Sequence, residues 1–246
     1  MQRGASQGDS READDRSIVG RGSDPRIGEV KGCFPGTGDI PIVARSDRFV
    51  VVEKPAWMLS VPGKGPERTD CVAARVARMF PRASGPLVVH RLDMETSGLM
   101  VLALDEAAQR ELSGQFEHRR VEKAYLALLG GGIDLASESG SIDLPMRADV
   151  DRRPVQIVDH VHGRPATTRW RIVGRETDRL RVRFEPVTGR THQIRVHAAA
   201  GLGRPIIGDG LYGGEPADRL MLHAATLSFL EPGTRRRVCF ESPVPF

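Results

Sequence analysis

The amino-acid sequence predicts an α+β fold, in which a mixed, largely antiparallel sheet is flanked by helices. Segments that predict strands, by alternation or by a short apolar run, outnumber segments that predict helices. The two kinds of segment do not follow each other in regular alternation, which argues against a parallel sheet with crossover helices. A chain of 246 residues is also long enough to bury a substantial core.

The beginning of the chain differs in composition from the rest. Residues 1–38 are rich in Gly, Ser, Asp and Arg and follow neither period. We expect them to form a flexible or disordered extension, because they offer too little apolar surface to bury. Residues 39–246 are expected to form one folded domain.

Six segments of this domain have the composition of strands, and two of them, 121–129 and 180–184, also alternate. Strands are predicted over residues 48–52, 87–89, 98–104, 121–129, 180–184 and 221–229. Within 121–129 the alternation puts Lys123 and Tyr125 on the same face of the strand. In 180–184 the alternation places the arginines on the face of the strand that points away from the core.

Three segments are predicted to be helical. The first begins after a cap at Thr69 or Asp70 and ends before Pro81. The second is capped by Asp105, and its apolar positions share one face, namely Ala108, Leu112 and Phe116. The third covers residues 191–200 and follows a turn at 188–190.

Composition excludes several classes of protein. The longest purely apolar run, residues 99–104, is far too short to span a bilayer, and the first residues lack the apolar segment of a secretory signal. Cys33, Cys71 and Cys239 are odd in number and form no C-x-x-C, which argues against a disulfide framework and a structural zinc site. We therefore expect a cytoplasmic protein that does not associate with membranes.

Positive charge is concentrated in the C-terminal part of the chain. Residues 147–246 contain 17 basic and 11 acidic side chains, although the whole chain has a net charge of only +4. This distribution favours a polyanionic partner. A coding bias towards arginine is the alternative explanation, since lysine is rare among the 36 basic residues.

Residues 90–98, with the sequence HRLDMETSG, carry the densest signal for function. His90, Arg91 and Asp93 lie in a loop between two apolar segments. Rigid elements on both sides of a loop are a common way to present reactive groups. An ordinary turn stabilised by its Arg, Asp, Thr and Ser side chains remains the alternative.

A second polar segment, residues 188–197, has the sequence TGRTHQIRVH. On a helix, Thr191 and Arg195 would share a face, and polar groups at a helix start suit a phosphate or another anion. His192 and His197 are five residues apart, which is the wrong spacing for a two-histidine metal site on one helical face. A solvated helix N-terminus is the alternative.

Taken together, these segments resemble the successive motifs of the RluA-type RNA pseudouridine synthases. The matching segments, in the family's order and spacing, are residues 90–98, 123–127, 188–197 and 208–213. Residues 59–63 and 143–145 resemble the compact branch of the family, which lacks an N-terminal RNA-binding domain. The resemblance implies a pseudouridine synthase catalytic domain with a central RNA-binding cleft over residues 39–246.

The resemblance also implies catalytic roles. Asp93 matches the family's essential aspartate, which acts either as a nucleophile or as the partner of a transiently detached uracil. Arg195 matches the arginine that pairs with this aspartate. Tyr125 matches the active-site tyrosine, which stacks on the base and is a candidate for proton transfer.

Further residues are implied in RNA binding. Arg91 matches the arginine that fills the space left by the flipped uridine. Arg190 and His192 are assigned to phosphate contact or loop support, and Lys123 to the surroundings of the site. His90 either holds the loop or contacts RNA.

The compact branch implies a tRNA anticodon stem-loop and a large-subunit ribosomal RNA hairpin as substrates, with no metal or organic cofactor. We expect a monomer that binds RNA and not DNA. Two departures from the family pattern lie near the cleft, because Trp57 stands where the family usually has Gly and Glu53 where Asn is common.

Three alternatives compete with this interpretation. The first is a related synthase that modifies a single ribosomal site, and the second is an RNA-binding protein without catalysis. The third is a hydrolase with Ser97 as nucleophile, which would lack the usual G-x-S-x-G turn.

Overall fold

The structure is a computed structural model that describes residues 39–132 and 134–246. Its strands are β1 (Ile42–Arg45), β2 (Phe49–Lys54), β3 (Ser97–Ala103), β4 (Glu122–Leu129), β5 (Ser139–Asp143), β6 (Met146–Ala148), β7 (Gln156–Val158), β8 (Thr167–Glu176), β9 (Arg179–Pro186), β10 (Leu222–Leu230) and β11 (Arg237–Glu241). Its α-helices are α1 (Val72–Met79), α2 (Glu106–Glu117) and α3 (Gln193–Val196). The extension expected over 1–38 lies outside the described residues.

The main sheet runs across the whole described domain. Its strand order is β1-β2-β3-β10-β4-β9-β8-β5, with β11 paired to β10, while β6 and β7 form a separate hairpin. Among the described strands, β3 and β10 pair in parallel and the other pairs are antiparallel. The predicted α+β fold with a mixed, largely antiparallel sheet is therefore confirmed.

The first half of the sheet is covered on both faces. Alternate residues of β2 and β3 point to opposite sides, because side chains of a strand alternate. One set packs against Ala108 and Leu112 of α2, and the other against Val72 and Val76 of α1. This explains why 99–104 is a continuous apolar run.

The second half of the sheet is apolar on one face. Alternate residues of β9, Leu180, Val182 and Phe184, pack with Ile194 and Ala198 in one core cluster. The arginines between them point to the other side, as the alternation predicted. The short helix α3 is thus held on the same face as Tyr125.

Several predicted elements begin or end elsewhere. The cap of α1 is the thiol of Cys71, which accepts from the Ala74 N–H at 3.4 Å, and Asp70 pairs instead with Arg75 at 2.6 Å. Residues 87–89 form no strand, since Val88 makes a single isolated bridge to Leu102. Within the described residues, no helix has both the length and the hydropathy to cross a membrane.

The helix predicted over 191–200 is wrong in its extent. His192 has φ 55, in the left-handed region, so the α-helix starts only after it at Gln193. A π-helical stretch (His197–Gly201) then follows α3. Thr191 therefore does not share a helical face with Arg195, although Ile194 and Ala198 face the core as predicted.

Candidate active site

A cleft of about 460 Å³ lies between the segment 90–96, the end of α2, β4 and the segment 186–195. Seven of the eight predicted site residues line it, namely His90, Arg91, Asp93, Lys123, Tyr125, Arg190 and Arg195. Sequence positions about 100 residues apart are thus brought to one cleft. His192 is buried just behind it.

The loop that carries Asp93 is held by backbone hydrogen bonds. The hydroxyl of Ser60 donates to the Leu92 carbonyl at 2.7 Å and accepts from the Leu92 N–H at 3.0 Å. The Thr96 N–H donates to the backbone carbonyl of Asp93 at 3.2 Å. These bonds fix the main chain on both sides of the Asp93 side chain.

Lys54 is a further support that the sequence analysis missed. Its fully buried amine donates to the carbonyls of Pro55, Met58 and Met94 at 2.8–2.9 Å. Burial lowers the pKa of Lys54 to about 7, against the opposing effect of the negative Asp93 and Glu95. Lys54 therefore ties the turn after β2 to the loop of Asp93.

A second support lies under the start of β3. His223 is joined to Ser97 at 2.7 Å through Nδ1 and to Ser242 at 2.8 Å through Nε2. Arg219 also donates to the Ser97 hydroxyl. Burial lowers the pKa of His223 to about 4, so the ring is neutral at pH 7.

This arrangement bears on the hydrolase alternative. Ser97 does lie within hydrogen-bond distance of a histidine, but both side chains are buried and neither lines the cleft. The Ser97 hydroxyl has its partners inside the protein, so it supports the loop and is not presented to a substrate.

Asp93 has an unusual carboxylate. It lines the cleft, and within the described residues its side chain accepts no hydrogen bond and forms no ion pair. Burial raises its pKa, whereas His192, Arg195 and Arg91 act in the opposite direction. The group is therefore open to the cleft and surrounded by cationic and imidazole groups.

Arg195 does not form the expected direct pair with Asp93. Its guanidinium donates to both oxygens of Asp209 at 2.8 Å and to Glu95 at 3.3 Å. No ion pair within 4 Å joins Arg195 to Asp93 in the described part of the chain. The predicted pairing is wrong because Asp209 lies closer and accepts both forks of the guanidinium, and Arg195 acts on Asp93 only at longer range.

Tyr125 and Lys123 extend from the same face of β4 into the cleft, as predicted. Burial raises the pKa of Tyr125 above its ordinary value, and the charge of Asp93 adds to this effect. The phenol is therefore protonated at neutral pH. Burial lowers the pKa of Lys123.

His90 supports the loop from below. Its Nε2 accepts from the Val101 N–H at 3.1 Å, and its ring stacks on Phe116 with 4.4 Å between centroids. Burial lowers its pKa to about 3, so the ring is neutral. These contacts favour the loop-holding role over the RNA-contact role that the sequence left open.

Arg91 and Arg190 are two exposed cations of the site, and Arg119 is a third that lines the cleft. Arg91 donates to the Thr191 hydroxyl at 3.4 Å, and Arg190 donates to the Pro165 carbonyl at 3.2 Å. His192 Nδ1 lies 2.7 Å from the Tyr212 hydroxyl, and this hydroxyl accepts from the Gln156 N–H at 2.9 Å. His192 is thus linked through Tyr212 to the β6–β7 hairpin.

Metal-ligating side chains do not converge in the part of the chain that the structure covers. No three His, Cys, Asp or Glu residues there are grouped so that they could hold a metal ion.

The comparisons with known proteins agree with the motifs. A family model described as RNA pseudouridylate synthase matches residues 48–200. A dual-specificity RNA pseudouridine synthase RluA from Yersinia pestis is 45% identical over 197 residues, which cover 78% of this chain and 93% of that protein. Its counterpart from Escherichia coli (strain K12) is 42% identical over 210 residues, covering 83% and 93%.

A comparison with solved structures supports the same family. Human RNA Pseudouridylate Synthase Domain Containing 1 superposes with a TM-score of 0.70 at 31% identity, over 87% of each chain. With the motif order, the fold and the relatives in agreement, the chain belongs to the RNA pseudouridylate synthase family and is an RNA pseudouridine synthase, an isomerase.

Proposed function

We propose that this enzyme isomerises specific uridines in structured RNA, with Asp93 as the catalytic carboxylate, after flipping the target base. The substrates we infer are a tRNA anticodon stem-loop, a 23S ribosomal RNA hairpin, or both. The observation that carries the proposal is the unpaired carboxylate of Asp93 in a cleft beside Tyr125. Two relatives that bear the name dual-specificity synthase support the choice of RNA.

The reaction needs a carboxylate that is free to move against the ribose. The N1–C1′ bond of the uridine breaks, the uracil turns, and a C5–C1′ bond forms, while C5 loses its proton and N1 gains one. No atom or electron is added, so the isomerisation requires no redox cofactor. An ionised Asp93 can either attack the nucleoside or stay beside the detached uracil.

Burial raises the pKa of Asp93, and Glu95 adds to this shift. His192, Arg195 and Arg91 oppose it, so these groups favour the ionised carboxylate that the reaction needs. Arg195 has a positioning role in this proposal, because its guanidinium holds Asp209 and Glu95 near the loop. Tyr125, which is protonated at neutral pH, stacks on the uracil, and its hydroxyl can donate a hydrogen bond to the base.

A stacked uridine cannot reach Asp93 without leaving its stack. Flipping costs a few kcal/mol, which is about the size of one unstacking step. Arg91 is exposed at the mouth of the cleft and is planar, so it suits the space that the uridine leaves. Arg190 contacts a phosphate, His192 supports the loop, Lys123 borders the site on the face of Tyr125, and His90 holds the base of the loop.

We further propose that the enzyme acts as a monomer in the cytoplasm, on RNA and not DNA. The surplus of basic residues over 147–246 supports a polyanionic substrate.

The test is to incubate the purified protein with total tRNA and with large-subunit ribosomal RNA, and to map the pseudouridines that form. We expect new pseudouridine in an anticodon stem-loop or a 23S hairpin, and none with Asp93→Asn. Modification of one ribosomal site alone would favour the single-site synthase, and no modification of either RNA would refute the proposal.

A further inference from the structure

Trp57 is a large aromatic side chain left in solvent. It is 58% exposed, whereas Trp170, the second tryptophan of the chain, is 8% exposed and packs in the core. Burial of an indole is favourable, and its flat ring is a common contact surface for ligands. Trp57 occupies a turn directly after β2.

The backbone at Trp57 is unsuited to a bulky residue. Its φ is 65, in the left-handed region that favours glycine. Such a conformation persists where the surrounding structure fixes it, and it is frequent at ligand-binding segments. The chain thus keeps an exposed indole at a position where glycine would fit the backbone better.

The turn of Trp57 is fastened to the loop of Asp93. The amine of Lys54 donates to the carbonyl of Met58 at 2.8 Å and to the carbonyl of Met94 at 2.9 Å. Trp57 and Asp93 are the immediate chain neighbours of these two residues. Met94, itself 39% exposed, and the exposed Arg91 belong to the same loop. The turn that carries Trp57 is therefore tied through Lys54 to the loop that carries the proposed catalytic carboxylate.

We propose that Trp57 is a stacking platform for an unpaired base of the RNA substrate, next to the uridine that is modified. The proposal rests on the proposed function, because it places a single-stranded segment of RNA at this cleft. Proteins read unpaired RNA by stacking its bases on aromatic side chains, and every base offers a flat face for this contact. The role is one of RNA binding, and it leaves the chemical step to Asp93.

The experiment uses the full chain and a stem-loop RNA that the wild-type enzyme modifies. Trp57→Leu keeps an apolar side chain but cannot stack, Trp57→Phe keeps an aromatic ring, and Trp57→Gly relieves the positive φ. We expect Trp57→Leu and Trp57→Gly to bind the RNA about tenfold more weakly, as for the loss of one base–aromatic stack. Trp57→Phe should stay within about threefold of wild type.

Two readouts separate stacking from a structural role. The single-turnover rate at saturating RNA should be unchanged in all three variants, because only binding is affected. RNA should quench the fluorescence of the wild-type protein and leave that of Trp57→Phe, which reports the buried Trp170, unchanged. Trp57→Gly should melt no lower than wild type, since glycine adopts this backbone without strain.

Abasic substitutions in the RNA loop identify the base. One abasic position should weaken binding of wild type by the same factor as Trp57→Gly, and it should have no further effect in that variant. The proposal is overturned if Trp57→Leu and Trp57→Gly bind RNA as tightly as wild type, or if no abasic position is coupled to Trp57. Failure of the proposed function is a separate result, namely wild-type protein that forms no pseudouridine.

Discussion

Asp93 and Asp209 both lie near Arg195, but their surroundings differ. Asp209 is 1% exposed, accepts both forks of the Arg195 guanidinium at 2.8 Å, and accepts from the Leu211 N–H at 3.2 Å. Asp93 lines the cleft and has no hydrogen-bond partner for its side chain among the described residues. One carboxylate is saturated by partners and the other is open.

The comparison separates structural from chemical use of the same side chain. A buried carboxylate with an arginine partner is fixed in place, and its partner cannot be removed without a large penalty. An open carboxylate stabilises little and remains free to meet a ligand. The loop of Asp93 is instead held through its backbone, by Ser60 and Lys54, so that the side chain is not needed for support.

The largest effect on stability should follow from removal of Arg195. Arg195→Met leaves Asp209 buried and unpaired, which should lower the free energy of unfolding by about 3–5 kcal/mol. Arg195→Met combined with Asp209→Asn should restore part of this loss. The measurement is urea denaturation of the wild type, of Arg195→Met and of the double variant. If Arg195→Met were as stable as the wild type, the structural role assigned to Asp209 would be contradicted.

Arg91→Ala should reveal the cost of base flipping. On a hairpin in which the target uridine is stacked, the single-turnover rate should fall. The activation free energy should rise by a few kcal/mol, which is about the unstacking cost. The same uridine in a flexible single strand should lose less. Arg91→Lys should not rescue fully, because an ammonium neither stacks nor spans two acceptors. Equal losses on the two RNAs would assign Arg91 to the chemical step or to loop support.

His223 should make stability fall in acid. Its folded pKa of about 4 lies below the unfolded value of 6.5, so the unfolded state binds the proton first as the pH falls. The stability contribution, about 3 kcal/mol, is present above pH 6.5 and is lost as the pH falls towards 4. His223→Gln should flatten this part of the curve of unfolding free energy against pH. An unchanged slope would show that His223 is not desolvated.

Lys54→Met should cost about 2 kcal/mol, because three buried carbonyls lose their donor. The exposed Lys64 provides a matched control, and Lys64→Met should change the unfolding free energy by less than about 0.5 kcal/mol. Lys54→Met should also slow pseudouridine formation, since the amine holds the loop of Asp93. Equal melting temperatures of the two variants would show that the amine does not support the loop.

Sequence patterns predicted the central strands and α2 well because periodicity there reflects burial. The run 99–104 and the cap at Asp105 correspond to β3 and α2. Six strands were missed, namely β1, β5, β6, β7, β8 and β11. All but β8 have five residues or fewer, and β8 changes register between Ile172 and Gly174. The helix predicted over 191–200 begins two residues later, because composition does not reveal the left-handed backbone of His192, and it continues as a π-helix to Gly201.

The sequence predicted which residues belong to the site better than it predicted which of them contact each other. Seven of the eight candidates that the motifs supplied line one cleft. The predicted pairing of Arg195 with Asp93 was wrong because the fold brings Asp209 closer to the guanidinium. Asp209 follows Arg195 by 14 residues in the chain, and no local pattern reveals that the two side chains meet. No sequence pattern singles out Lys54, because the burial of its amine depends on the carbonyls of Met58 and Met94, which only the fold brings to it.

The most direct test of the contrast between the two carboxylates is Asp93→Asn, measured for turnover and for RNA affinity on one stem-loop. Pseudouridine formation should fall below about a thousandth of wild type, while filter binding should show an affinity within a few-fold, because most binding energy comes from phosphate contacts. Its melting temperature should not fall, since the side chain has no partner to lose. Activity above that level would contradict the assignment of Asp93 as the catalytic carboxylate.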